Sequence, residues 1–553
     1  MASAKSKIGN AENKPRQGWL NIEYFYLAIM LVALLYVGPG TILGHRIVHD
    51  LPYGYFASDA FGEIAYADWF KDHGKHDLLP YYLKFGHEDL VAFHMPTFYS
   101  INALNSVITG FEVYDGVILP YIFLILALFI MYFVSRNFSK GVAILGLPIG
   151  VFLFFQRFVT GTLWGNWDFA LAVAFLAGAF WIVGRRDLEY YYLYLALFIA
   201  GLILSHASEA VFFAVFLVLF SGIMMLRGAI KIKQLIEMAI AGIIGIVLCF
   251  NYLIVFYNGY WKGTSYTFTR LQPGNFDVVL GHFSWALWLL AIGLILSVYF
   301  LLKKDHYAAI PSIFMLLIGY ANYIGFDNRA LQTRYAWPVY FGFFLGLCLH
   351  LALDAVSRFV HMKNSLLVRM AVGILVLGII LFTSGYKNES NPGLMDPDHW
   401  QMIKWLQGNT YDKSKVLFFY SELYDQDAVL WVDKRQNFVI EPKEYIMAIQ
   451  NRSLLRDYYA EFVGSSDAPL RRHSFFNYEF VVLGPLKNYY DICKFDYLVF
   501  DKAAYQPVLA QYNLYIANEL IKKEWIKPVF DNNRVVILNN QKLGEECIEP
   551  RTI

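Results

Sequence analysis

The chain has 553 residues, is 58% hydrophobic and only 16% charged, and carries a net charge of +1. A mean hydropathy of +0.42 excludes an ordinary soluble protein over the whole chain, and a net charge near zero gives no sign of a nucleic-acid partner. Aromatic residues make up 18% of the chain, and many gather where apolar runs end, as in Tyr190-Tyr191-Tyr192, where amphipathic rings favour a membrane interface.

In chain order the apolar residues form eleven segments, at about 24–43, 117–135, 141–155, 166–184, 190–205, 208–226, 236–256, 283–302, 308–325, 336–355 and 367–384. Most approach the ~20 residues that a helix needs to cross hydrocarbon. The tail before the first segment carries Lys5, Lys7, Lys14 and Arg16, and alternate loops carry Arg136 with Lys140, Arg185 with Arg186, Arg227 with Lys231 and Lys233, Lys303 with Lys304, and Arg358 with Lys363. The intervening loops are poor in cations. The positive-inside rule then places the amino terminus in the cytoplasm and, with an odd number of crossings, the carboxy-terminal region outside. The first segment reads as an uncleaved signal anchor, being long and without a small-residue cleavage pattern.

The first external loop, about 44–116, holds the densest polar sequence. The stretch 58–70 reads as a short amphipathic helix with Phe61, Ile64, Ala65 and Trp69 on one face and Gly74 as its stop, and such a helix would lie in the membrane interface. Asp59 and Glu63 are four residues apart and stack on one side. Asp59 reads either as a cap for orphan amides or as a functional carboxylate, and Glu63 and Asp68 read by default as solvated face residues. His94-Met95-Pro96-Thr97-Phe98-Tyr99 follows before the second span.

Among the later external turns, Ser205-His206-Ala207-Ser208-Glu209 interrupts an apolar run. It is either a tight turn or the polar lining of a cavity, since ionisable residues near membrane depth face a cavity or one another. Arg157, Arg270, Arg329 and Arg334 are the external arginines near span ends. A guanidinium there suits phosphate oxygens, and the bland alternative for Arg329 is a surface pair with Asp327 of little energetic consequence.

Past about 385 the hydropathy falls, so 1–385 is expected to be the membrane domain and 386–553 a soluble α/β domain. Strands are predicted at 415–420, 428–432, 438–440 and 497–500, helices at 398–406 and 503–523, and a hairpin where Val529-Phe530 and 535–538 flank Asp531-Asn532-Asn533. Cys493 and Cys547 lie where a disulfide is allowed, while Cys249 and Cys348 fall inside spans. Asn388-Glu389-Ser390 and Asn451-Arg452-Ser453 match the N-glycosylation pattern.

Together these features resemble the GT-C superfamily, membrane glycosyltransferases that take sugars from polyprenyl-phosphate donors. The resemblance rests on a cytoplasmic amino terminus, one span followed by a long external loop with an interfacial helix, Ser58-Asp59 near its start, the Pro-aromatic stretch around Pro96, and an external α/β tail that closes with Phe495-Asp496-Tyr497-Leu498-Val499-Phe500-Asp501 and Val529 to Leu538. The Trp-Trp-Asp-Tyr-Gly signature of oligosaccharyltransferase catalytic subunits and the paired Asp-Glu of protein mannosyltransferases are absent, so no branch is assigned.

The resemblance implies an α-helical polytopic membrane protein of about eleven transmembrane helices with a C-terminal extracytoplasmic α/β domain. It implies inverting transfer from a polyprenyl-phosphate-linked sugar donor to a glycan, lipid or protein acceptor, with Asp59 as general base. Glu63, His94, Arg157, His206, Glu209, Arg270, Arg329 and Arg334 are then the candidate substrate-binding residues, with no metal and no cofactor. A transporter or flippase for lipid-linked sugars is the competing class, disfavoured because no repeated halves are found. A polysaccharide polymerase or ligase, which usually carries its large loop late in the chain, and a non-catalytic envelope scaffold are further alternatives.

Overall fold

The computed structural model describes residues 22–43, 46–75, 95–154, 164–256, 286–303, 307–319, 336–360, 365–383, 392–419, 421–425, 427–440, 442, 492–504 and 507–544. The helices in chain order are α1 (Ile22–Leu43), α2 (Ser58–His73), α3 (Pro96–Thr109), α4 (Ile118–Arg136), α5 (Lys140–Gly146), α6 (Trp167–Gly184), α7 (Tyr191–Ser205), α8 (Ala207–Leu226), α9 (Ile232–Leu248), α10 (Phe250–Phe256), α11 (Ala286–Lys303), α12 (Ala309–Gly319), α13 (Trp337–Phe359) and α14 (Leu366–Thr383). A helix coincides with every predicted apolar segment. Among the described residues, five are long and apolar enough to cross a membrane: Val113–Arg136, Trp167–Gly184, Ser208–Leu226, Trp337–Phe359 and Leu366–Thr383. Ile22–Gly38, Lys140–Phe154, Tyr191–Ser205, Trp288–Leu302 and Ala309–Ile318 are shorter apolar helices. The third segment tightens midway into a 3-10 stretch, Leu147–Phe154, and the seventh is broken at Cys249 between α9 and α10.

Close packing at the centre depends on small residues. A Cβ at Gly146 of α5 would fall 2.4 Å from the Gly342 carbonyl oxygen of α13, and one at Gly346 would fall 2.3 Å from the Val142 oxygen. Lipid offers no hydrophobic drive between helices, so contact at this range supplies the dispersion that holds them. One end of the bundle is ionic. Glu23 of α1 is buried and accepts from Arg136 Nε at 2.5 Å and Tyr132 at 2.9 Å, with Lys140 at 3.0 Å. Arg369 pairs with Asp354 at 3.1 Å.

At the other end sit the first loop and a C-terminal sheet domain. Its helices are α15 (Pro397–Asn409), α16 (Glu422–Asp425) and α17 (Pro507–Ile521), and its strands are β1 (Lys415–Phe419), β2 (Gln436–Ile440), β3 (Tyr497–Asp501), β4 (Ile526–Asp531) and β5 (Val535–Asn540). The order is β2-β1-β3-β5-β4. β1 runs parallel to β2 and β3, while β5 pairs antiparallel with β3 and β4. The central strands are buried on both faces, which is why they read as unbroken apolar runs. The predicted hairpin is present as β4–β5, its turn closed by Asn532 Oδ1 accepting from the Arg534 and Val535 amides at 3.0 and 2.7 Å. Pro528 is tolerated because β4 is an edge strand. Residues 428–432 are not a strand, as expected from sequence, but part of a 3-10 segment, Asp427–Asp433. Val429 to Val432 are all buried and the segment packs against α2; a short apolar run with burial all round has no period to distinguish strand from helix. Cys493 is disulfide-bonded, and Cys547 and both glycosylation triplets lie outside the described residues.

A buried ionic cluster joins α15 to the sheet. His399 is fully buried with Nδ1 2.6 Å from Asp396 Oδ2 and Nε2 3.1 Å from Asp501 Oδ2. Arg534 reaches Asp396 at 3.3 Å and Asp501 at 3.6 Å. Only an imidazolium donates at both nitrogens. Burial opposes that charge, but the bonds from Asp396 and Asp501 outweigh it and raise the His399 pKa above its ordinary 6.5. Burial likewise pushes the two carboxyls up, and the bonds from His399 prevail and hold both below 3.8.

Two outcomes are expected. Gly346→Leu should lower thermal stability in detergent by the equivalent of about 1–3 kcal/mol through overpacking, whereas Gly378→Ala, with nothing within 4 Å of its Cβ, should not destabilise; equal effects would contradict the packing account. His399 has a raised folded pKa, so its stabilisation is complete below pH 6.5 and is lost as pH rises through the folded value. Asp396 and Asp501 have lowered values, so theirs is complete above pH 3.8 and is lost as pH falls through their folded values. A melting-temperature profile of the wild type should decline on the alkaline side, and His399→Gln should flatten that limb; an unchanged limb would show that the cluster does not set it.

Candidate functional site

The site is built around the amino-terminal end of α2. Its cap residue is Ala57, in extended conformation and with no side-chain cap bond. Asp59 is therefore not the capping residue; it lies half-buried in the first turn, where the helix dipole favours a carboxylate. Gly74 stops α2 as expected, with φ 61° and its amide donating to the Phe70 oxygen at 2.9 Å. The expected solvated face of this helix does not hold. Residues 60–67 are all buried, because the segment Asp427–Asp433 covers the face that would otherwise meet water. Glu63, expected as a solvated residue, is 2% exposed.

The membrane domain grips this helix end through one glycine. Gly165 has φ +103°, and any Cβ there would fall 2.1 Å from the Ala60 nitrogen and 2.4 Å from the Asp59 carbonyl carbon. The backbone before α6 thus lies directly on the Asp59–Ala60 peptide. Trp167, two residues on, packs at 5.4 Å from Tyr55 and 5.5 Å from Phe98. Asp168 follows in the first turn of α6, half-buried, with Oδ1 accepting from the Phe169 amide at 2.7 Å. Asp168 was missed in the sequence reading. An acidic residue at the outer end of an otherwise apolar span was its available signal.

Aromatic rings continue the wall. Tyr66 stacks on Tyr99 at 5.4 Å and meets Trp431 edge-on at 6.4 Å. Burial, then the Glu63 carboxylate, pushes the Tyr66 phenol well above its ordinary range, so it acts as a neutral hydrogen-bonding group. Tyr252 of α10 donates to the Met95 sulfur at 3.0 Å. The Thr97 hydroxyl donates to the Leu204 carbonyl at 2.7 Å and ties α3 to the outer end of α7. His206 is a single extended residue between α7 and α8. Its ring lies 5.8 Å from Phe169, and its Nδ1 bonds Glu209, which is wholly buried. His206 and Glu209 pair with one another across the turn between α7 and α8.

The sheet domain closes this end of the bundle. Gly54 donates to the Pro392 oxygen at 2.9 Å and Leu394 to the Tyr55 oxygen at 2.7 Å. Tyr114 meets Trp400 at 5.3 Å. Lys434 bonds Asp72 at 2.6 Å and lies 3.7 Å from Asp68. Burial raises the Asp68 carboxyl pKa although Lys434 opposes it. Asp68 was expected in solvent; it sits in this joint instead. His94, Arg157, Arg270, Arg329 and Arg334 lie outside the described residues. Of the predicted set, the structure brings Asp59 and Glu63 onto one helix at the mouth of the bundle, with His206 and Glu209 beyond Phe169.

Neither a family profile nor a curated protein matches the sequence, but solved structures match the fold. ArnT from Cupriavidus metallidurans in the apo state superposes with a TM-score of 0.57 at 10% identity, over 95% of this chain and 100% of that one. The same protein bound to undecaprenyl phosphate gives 0.52 at 9% identity, over 95% and 99%. The archaeal oligosaccharyltransferase AglB from Archaeoglobus fulgidus, in complex with an inhibitory peptide and a dolichol-phosphate, gives 0.55 at 12% identity, over 90% of this chain and 72% of that one. Likeness over nearly the whole chain, spanning both the helical bundle and the sheet domain, establishes that this protein has the GT-C fold.

Proposed function

We propose that the chain is a membrane glycosyltransferase that moves a sugar from a polyprenyl-phosphate-linked donor to an acceptor hydroxyl or amide. The observation that carries this reading is the position of Asp59 in the first turn of α2, a helix whose start lies against the Gly165 backbone and which packs further along on the sheet domain. Two structural neighbours support the choice of donor, one bound to undecaprenyl phosphate and one to a dolichol-phosphate. A flippase reading lacks a comparable observation.

In the proposed reaction the Asp59 carboxylate takes the proton of the acceptor as its oxygen or nitrogen attacks the anomeric carbon. The bond to the phosphate oxygen breaks on the opposite face, so the anomeric configuration inverts. The departing lipid phosphate needs cations at the membrane surface. Arg157, Arg270, Arg329 and Arg334 are the proposed partners, and a planar guanidinium meets phosphate in a bidentate manner. Asp168, three residues after Gly165, is proposed to orient the acceptor. The rings of Tyr66 and Tyr99 give the apolar wall against which a sugar packs.

The orientation proposed is amino terminus in the cytoplasm, with the first loop and residues 386–553 outside. The ionic end at Glu23, Arg136 and Lys140 is then cytoplasmic, in keeping with the positive-inside rule.

Asp59→Asn keeps shape and removes the base. Turnover should fall by ~10²-fold or more with melting temperature retained; near-normal turnover would remove Asp59 from the chemistry. For orientation, a cysteine in place of the exposed Asn409 should react with an impermeant maleimide from outside intact cells. Reaction only after access to the cytoplasm would invert the topology.

A further inference from the structure

The joint between α2 and the sheet domain turns on one residue in an unfavourable conformation. Outside glycine, the positive φ values among the described residues belong to Lys434, at 62°, and Tyr190, at 57°. A side chain makes that left-handed region costly, and glycine would occupy it freely. The turn at Lys434 is nevertheless pinned on both sides. Its own amide donates to the Trp431 oxygen at 3.0 Å. Before it, Asp433 Oδ1 accepts from the Arg435 amide at 2.8 Å and from the Asn437 side chain at 2.7 Å. After it, Arg435 Nη2 donates to the Leu406, Gln407 and Thr410 carbonyls at 3.1, 2.9 and 2.9 Å, at the end of α15. Strain that its surroundings over-determine in this way points to a use for the side chain that bears it.

That use lies on α2. Lys434 Nζ is 2.6 Å from Asp72 Oδ2 and 3.7 Å from Asp68 Oδ2. Locally these two carboxylates are badly placed. They stand four residues apart, where like charges repel, and toward the end of α2, where the helix dipole is negative. One ammonium from the sheet domain answers both. The helix is thus held near its two ends, at its start by the Gly165 backbone on the Asp59–Ala60 peptide and in its last turns by Lys434. At 1.5 Å per residue these points lie roughly 20 Å apart. Apolar packing between them, such as Trp431 on Tyr66, is non-directional, so the two ends set the tilt and roll of the helix. A reacting group has to be held within about 10–20° of its productive direction. We propose that Lys434 is a positioning residue for the transfer reaction, fixing α2 from its far end and so directing the Asp59 carboxylate. The role rests on the glycosyltransferase reading.

The test follows turnover at saturating donor, donor affinity and melting temperature of the full chain in nanodiscs, with a panel of polyprenyl-phosphate hexoses and pentoses as donors. Lys434→Met removes the charge and keeps the stem. Lys434→Gly removes the side chain and relieves the backbone, so it should melt at or above Lys434→Met. Both should lose turnover by roughly 10–100-fold, the scale of a small misplacement of a reacting group. Donor affinity should stay within about twofold, because the interaction lost acts on the chemical step. Lys434→Asp should lose turnover as well, and adding Asp72→Lys should restore most of it. An aspartate tolerates left-handed backbone, and a lysine suits the end of α2. Near-normal turnover in Lys434→Gly and Lys434→Met would overturn the role and leave the glycosyltransferase reading standing. So would a loss of turnover that merely follows the melting temperature, or one that Asp72→Lys leaves unrepaired. A wild type that transfers sugar from none of the donors would remove that reading and the role with it.

Discussion

The clamping of α2 between two bodies is the constraint on which the rest of this structure depends. From below, Gly165 brings the α6 approach onto the Asp59–Ala60 peptide at a distance that tolerates no side chain. From above, Trp431 and Lys434 cover the other face. Phe61 and Ile64 are buried almost completely in between, each contributing about 1.5–3 kcal/mol. A helix lying free on a membrane would leave Asp59 to wander with the interface. Held on both sides, the start of α2 is fixed relative to the ends of the spans, the kind of placement that the proposed general-base role requires.

The two ends of the bundle divide the polar work. At one end the charges neutralise one another: Glu23 collects Arg136, Lys140 and Tyr132, and Asp354 collects Arg369. Such pairs anchor helix termini and leave little for a ligand. At the other end carboxylates recur at the starts of helices, with Asp59, Asp168 and Glu209 each in a first turn. The dipoles of α2, α6 and α8 favour those charges. The ionic cluster of His399, Asp396, Asp501 and Arg534 plays a different part. It holds α15 to the sheet, and α15 in turn presents Trp400 to Tyr114 of the membrane domain.

Much of this organisation was legible in the sequence, for identifiable reasons. Apolar segments announce themselves because lipid demands uninterrupted hydrophobicity. The β4–β5 hairpin was visible because Asp531-Asn532-Asn533 between apolar runs is local turn chemistry, and Gly74 was visible as a helix stop. What escaped depended on distant residues. The segment 428–432 looked like a strand because burial against α2, far away in the chain, erased its period. Glu63 and Asp68 looked solvated because nothing local reveals the cover supplied by Trp431 and Lys434. Asp168 stood at the end of an apolar run, where its acidic side chain was the one local signal. Asp59 could be singled out as a candidate because it stands in a polar loop. Its grip by Gly165 could be seen only in three dimensions.

The most direct test of the central claim is a transfer measurement on the purified wild-type chain in proteoliposomes loaded with a panel of polyprenyl-phosphate sugars, following three species together: sugar joined to acceptor, free polyprenyl phosphate, and intact donor moved between leaflets. The account expects acceptor-dependent release of polyprenyl phosphate in one-to-one ratio with the glycosylated product, whose anomeric configuration is opposite to that of the donor. Movement of intact donor between leaflets without cleavage of its phosphate bond would contradict it.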